Sequence, residues 1–144
     1  MSATRVMVFY DGSFFKAGQM HFRYKEDRGW FSLPGLHGTL EKYISMKGKH
    51  QIELTKVVGA HYYDGRTSTQ VSDAKHLERE RAFEMALIQA GIVSHYLPVR
   101  ETLGPKSTAE VPQWLLAQKG VDVHFALDVL DYAHTDRFDV AVLI

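Results

Sequence analysis

Three aspartates stand where a carboxylate is unusual. Asp11 follows directly on the apolar run Val6-Met7-Val8-Phe9-Tyr10, while Asp122 and Asp128 are set in VDVHFALDVL, a segment apolar enough to be buried on most sides. Burying a carboxylate costs several kcal/mol unless something offsets it. A hard divalent cation with oxygen ligands is one such partner. From Lys119 onward the chain holds five of its nine aspartates and no glutamate. Residues six apart on an ideal helix are separated by about 120°. Asp122 and Asp128 can therefore meet at one site only if Asp122 precedes or caps a helix while Asp128 points inward from the second turn, and Lys119-Gly120 suits such a late start. Each residue also has a plain reading. Asp11 could be a turn aspartate or helix N-cap, Asp122 a carboxylate favoured by the helix dipole, and Asp128 part of an exposed stripe with His124, Asp131 and Thr135. Asp131, Asp136 and Asp139 read as solvated or turn residues.

The elements that must position these groups alternate. Val6 to Tyr10, closed by Asp11-Gly12, reads as a buried parallel-type strand. Helices follow over Ser13–Tyr24 and Leu36–Lys47, separated by a turn-rich stretch with Gly29, Pro34 and Gly35. Ile52 to Tyr63 predicts a strand ended by Asp64-Gly65. Ser72 to Ala90 is a helix with Gly91 as its C-terminal cap. A strand over Ile92–Val99, a loop over Arg100–Ser107, a helix over Val121–His134 and a strand over Phe138–Ile144 complete the order. Strands alternating with helices imply a mainly parallel sheet covered on both faces. The expected class is a three-layer α/β/α sandwich of Rossmann-like type.

Composition sets the outer limits. The chain has 144 residues, 45% apolar and 12% aromatic, with 17 Lys plus Arg against 17 Asp plus Glu. That size and balance predict one folded domain over 1–144, and argue against disorder or a broadly basic nucleic-acid coat. Without cysteine there is no disulfide scaffold, zinc-cysteine module or thiol nucleophile, and a cytoplasmic location is expected. No stretch approaches the ~20 apolar residues of a membrane span. The eight histidines show neither HxxxH nor HExxH spacing, so no zinc site is expected. The absence of GxGxxG and of GxxxxGK[ST] argues against generic nucleotide binding.

VMVFYDGSFF, ERERAFEMALIQAGIVSHYLPV and above all KGVDVHFALDVLDYAHTDRFDVAVLI together resemble the LabA-like branch of the NYN domain family, within the PIN-like nucleases. The resemblance extends over essentially the whole chain. It implies a PIN-like α/β/α domain whose clustered aspartates bind Mg²⁺ or Mn²⁺ and cut RNA phosphodiester bonds, leaving 5′-phosphate and 3′-hydroxyl ends. Carried over residue by residue, the implied metal and catalytic site is Asp11, Asp122 and Asp128. Where the family has Asn three residues after its first aspartate, this chain has Phe14. The family's next segment, a Gly-Asp-x-Asp turn with further acidic ligands, would follow Ile144.

The implied substrate is RNA, single-stranded by preference, and its phosphates need cations. Lys119, Arg100 and Lys106 are the candidates. Lys75, Arg79 and Arg81 interleave with Glu78, Glu80 and Glu84 and read instead as a solvated helix face. Tyr62, Tyr63 and Trp114 could stack bases but more often such residues pack. A homodimer is common in the family, although no stripe in the sequence marks an interface. The alternative, from a different functional class, is a catalytically inactive NYN-fold module that binds RNA or protein.

Overall fold

The computed structural model describes residues 2–68 and 73–144. Strand β1 (Thr4–Asp11) is the centre of the fold, with Val6, Val8, Phe9 and Tyr10 fully buried. An apolar run without alternation must be covered on both faces, and here it is. β1 pairs in parallel with β2 (Thr55–Arg66) on one side and β6 (Val140–Leu143) on the other, and β3 (Ile92–Pro98) extends the sheet beyond β2. The four strands stand in the order β3-β2-β1-β6, all parallel. Helices α1 (Gly12–Tyr24), α2 (Leu33–Gly48) and α3 (Ala74–Gln89) supply Phe15, Leu33, Leu36, Leu40, Ile44, Phe83 and Leu87 to the core around Val6, Val8, Tyr10, Ala60 and Tyr62. On the other face α4 (Val121–His134) packs Val121, Phe125, Val129 and Tyr132 against Met7, Phe9 and Tyr63. The chain is thus a three-layer α/β/α sandwich, as the alternation of elements predicts.

Four local expectations are corrected. β2 begins at Thr55 rather than Ile52, since Ile52–Leu54 form a short 3₁₀ turn, and it runs through Asp64-Gly65 to Arg66. The supposed turn stays extended because β3 continues alongside, pairing Asp64 with Tyr96 and Gly65 with Leu97. Gly65 lies past the last β1 partner, and its N–H donates instead to Asp64 Oδ1 at 2.8 Å. Arg100–Leu103 is also a strand, β4, which pairs antiparallel with β5 (Trp114–Ala117) in a hairpin that the turn signals around Gly104-Pro105 hid. The helix predicted to begin at Ser72 starts at Ala74, with Asp73 as N-cap; Ser72 itself lies outside the described residues. Helix α4 spans its predicted residues but is not buried on most sides, because Val123, Leu127 and Leu130 are 56%, 60% and 65% exposed.

A partly buried polar contact links the centre of the sheet to α2. The Tyr10 hydroxyl lies 2.7 Å from His37 Nε2. Burial lowers the His37 pKa from its usual 6.5, against a weaker opposing influence from Glu41. Below that pH the unfolded chain takes up the proton more readily than the folded one. The stability carried by neutral His37 is therefore present above pH 6.5 and lost as pH falls through the folded value. Thermal unfolding followed by circular dichroism should show a melting temperature that falls as the pH drops below 6.5, with a shallower fall in His37→Gln. Some slope should persist, since burial lowers His61 and His95 as well.

Candidate functional site

In an open parallel sheet the ligand crevice forms beyond the carboxyl ends of the strands, where the chain leaves in opposite directions from two neighbours. The order β3-β2-β1-β6 puts that point between β1 and β6. Asp11, the last residue of β1, sits there, and its N–H donates to the carbonyl of Ile144 at 2.7 Å. Asp11 also caps α1: Oδ1 accepts from the N–H groups of Ser13 at 3.0 Å and Phe14 at 3.3 Å, which leaves Oδ2 for another partner. Gly12 makes this turn feasible. A Cβ there would lie 2.6 Å from the Tyr63 carbonyl oxygen and 2.8 Å from Asp64 Cβ.

Asp122 comes to the same place from the first turn of α4. Gly120 precedes the helix with φ of 81°, a left-handed conformation natural only to glycine, and no side chain caps the helix. Asp11, Ser13, Gln118, Val121 and Asp122 line one cavity of about 220 Å³. Ser13 Oγ donates to Gln118 Oε1 at 3.4 Å, joining the start of α1 to the segment before α4. Four of these five residues carry a side-chain oxygen. Two carboxylates, a hydroxyl and an amide carbonyl suit a hard divalent ion that keeps part of its water shell, as Mg²⁺ does.

Asp128 does not line that cavity. Because Asp122 lies within the helix rather than before it, the six-residue spacing turns Asp128 toward β2 and β3. Its Oδ2 accepts from Tyr63 OH at 2.9 Å and lies 3.1 Å from His124 Nε2. Burial foremost, and then the bond to Asp128, push the Tyr63 phenol above its usual range. His95 stacks on Tyr63 with ring centres 4.6 Å apart and planes within 8°. Its Nε2 lies 3.0 Å from His61 Nδ1. Burial is the main cause holding both His61 and His95 below the usual imidazole range. His61 is enclosed by Phe9 and Tyr132.

The predicted cations lie at the carboxyl end of the sheet. Lys119 is exposed between Gln118 and α4. Arg100 is exposed and pairs across the hairpin with Ala117, while Lys106 is exposed in the loop joining β4 to β5. The base of this hairpin is anchored by the close approach of Val99 and Gln118 to Gly65. Tyr62 and Tyr63 are core residues, not open stacking surfaces, and Trp114 is half-buried in the hairpin. On the α3 face, Lys75, Arg79 and Arg81 are exposed, and His76 pairs with Glu80 at 3.2 Å.

Sequence reasoning overlooked Asp64. It is buried, accepts from Tyr62 OH at 3.1 Å and pairs with Lys16. The signal was a repeat: Phe9-Tyr10-Asp11-Gly12 and Tyr62-Tyr63-Asp64-Gly65 end adjacent parallel strands. Asp11 registers with Tyr63, so Asp64 is one residue further on and points to the opposite face, toward α1.

Larger cavities, of about 400 and 360 Å³, open on the α1 and α3 side. The first is apolar apart from Lys16 and Gln19, and neither contains the aspartates of the switch point. Compared with protein-family models, with curated proteins and with solved structures, the chain matches none. Among the described residues no helix is long and apolar enough to cross a membrane.

The dual position of Asp11, at a cap and in the cavity, can be dissected. Asn is as good an N-cap as Asp, whereas Ala has no acceptor. Asp11→Ala should therefore cost about 1 kcal/mol in urea unfolding and Asp11→Asn only a few tenths. Equal losses would show that the capping bonds contribute nothing measurable.

Proposed function

We propose that the chain is a Mg²⁺- or Mn²⁺-dependent ribonuclease whose working centre is the Asp11–Asp122 cavity. The observation that carries this reading is that these two carboxylates, 111 positions apart in sequence, line one cavity at the switch point of a parallel sheet. A divalent ion bound there would lower the pKa of a coordinated water and offset the charge that grows on a phosphate under in-line attack. The protein's own part is positional. Asp11 presents Oδ2 while its other oxygen is held by two backbone N–H groups, and Asp122 approaches from a helix start whose dipole favours anions. The hairpin leaves the same end of the sheet with Arg100 at its base, opposite Ala117 and near Lys119, and Lys106 in its distal loop, cations of the kind a single-stranded RNA backbone needs. The resemblance to the LabA-like NYN nucleases supports the same substrate class. It also implies Asp128 as a ligand; in our reading Asp128 belongs to the neighbouring histidine cluster instead.

One observation favours the second reading, an RNA-binding or protein-interaction module without catalysis. Phe14 is 66% exposed beside the cavity, where the family has a polar Asn. Cleavage of single-stranded RNA in Mn²⁺ separates the two. Asp11→Asn, which keeps the cap, and Asp122→Asn should each lower kcat/KM by roughly a hundredfold, equivalent to about 2.7 kcal/mol. Asp128→Asn should stay within about threefold, below 0.7 kcal/mol. Retention of RNA by the unsubstituted chain with no metal-dependent cleavage would establish the binding module, and equal loss in Asp128→Asn would return Asp128 to the catalytic set.

A further inference from the structure

We infer that His95, His124 and Asp128 form a second metal site, selective for a late first-row divalent ion such as Zn²⁺, that fastens α4 to β3. The inference is independent of the ribonuclease reading, since none of these residues lines the Asp11–Asp122 cavity. One ligand atom from each of the three residues lies within 4.8 Å of the others. His124 and Asp128 are one helical turn apart on α4, and His95 reaches them from β3, so an ion held by all three would cross-link two elements. Bond lengths of about 2.0–2.2 Å to imidazole and carboxylate place tetrahedral ligands about 3.4 Å apart. The His124–Asp128 contact at 3.1 Å is already near that spacing, and a His95 ring nitrogen lies within 4.8 Å of both.

The surroundings match those of a ligand set. Metal-bound histidines and carboxylates are held in orientation by a second ring of hydrogen bonds. Here His61 contacts the His95 ring at 3.0 Å and Tyr63 OH donates to Asp128 at 2.9 Å, both from the buried strand β2. Among the described residues no hydrogen bond joins the His95 ring to His124 or Asp128, although the two imidazole ring centres are only 5.5 Å apart. His95 thus faces the His124–Asp128 pair without a bond to either. Access is open, with His124 and Asp128 side chains 37% and 28% exposed. Two imidazole nitrogens and one carboxylate oxygen form a borderline donor set that suits Zn²⁺ over Mg²⁺. With three protein ligands, a fourth position is left for water or for a group from a partner molecule.

The test uses ZnCl₂ and CoCl₂ with the full chain. Titration should give one equivalent of bound Zn²⁺, and Co²⁺ should show the ligand-field bands of a four-coordinate nitrogen-containing site. Zn²⁺ at a hundredfold excess over its dissociation constant should raise the melting temperature by about 5–10 °C, and Mg²⁺ should not. His95→Gln and His124→Gln should each weaken Zn²⁺ binding at least tenfold, while His76→Gln on α3 leaves it unchanged. Should the first two variants fail to fold, the ring-nitrogen NMR shifts of His95 and His124 in the unsubstituted chain give the same answer, since both must move on adding one equivalent. Asp11→Asn/Asp122→Asn must retain the site. The inference is overturned if Co²⁺ keeps the spectrum of the hydrated ion, if the His95 and His124 nitrogens do not move, or if the double aspartate variant abolishes Zn²⁺ binding.

Discussion

The parallel pairing of β1 with a strand on each side is the constraint from which the rest of the structure follows. With both edges bonded and both faces covered, β1 has no room for a charged side chain between Arg5 near its start and Asp11 at its end. Asp11 is thus the first residue after the apolar run Val6–Tyr10 at which charge is tolerable, and it lies where the chain departs from β1 toward β2 on one side while β6 arrives on the other. The same point must start α1 without leaving N–H groups unpaired. Asp11 meets that need with one oxygen, and Gly12 permits the helix to begin against the Tyr63 carbonyl. A requirement of folding and a capacity for chemistry are met by one carboxylate, through different oxygen atoms.

Helix α4 carries the second half of that arrangement and divides it. Its axis runs over Phe9 and Tyr63, so Phe125 and Tyr132 must face the sheet. With that face fixed, Asp122 and Asp128 cannot share a direction, because six residues correspond to about 120° of rotation. Asp122 is committed to the cavity of Asp11 and Asp128 to the aromatic-histidine layer over β2 and β3. The two environments differ in donor type: oxygen at the helix start, nitrogen with oxygen one and a half turns later. If both proposed sites hold ions, the difference in donor type sorts them by hardness along one helix.

The legible part of the fold was what periodicity and punctuation encode. The run Val6–Tyr10, the cap region at Lys119-Gly120 and the bounds of α4 were readable because burial on two faces, a glycine start and 3.6-residue spacing each leave a local mark. Asp11 was readable for the same reason, as a carboxylate straight after a buried strand. The hairpin β4–β5 was not, since four-residue strands carry too few residues to show alternation. Asp64-Gly65 misled because the residues that make a turn also serve a strand that outlasts its neighbour. The histidine cluster was only half within reach, since His124 and Asp128, four residues apart, read as one helix stripe. His61 and His95 are brought to them by the pairing of β2 with β3 and by the placement of α4, and no spacing along the chain records either event.

A chain with equal numbers of acids and bases can still hold uncompensated charge locally, and the described aspartates show where. Asp136 and Asp139 are taken by Arg5, which bonds both from the amino end of β1 and holds the Asp139 carboxyl down to about 2. Asp64 is paired with Lys16, Asp27 with Arg23, and Asp128 contacts His124, while Asp73 caps α3. Of the rest, Asp131 is alone and exposed, but Asp11 and Asp122 share a cavity with no cationic side chain in its lining. The acidic end of the sheet thus leaves its two carboxylates without a cationic partner in their own lining, while Lys119 beside it stands exposed.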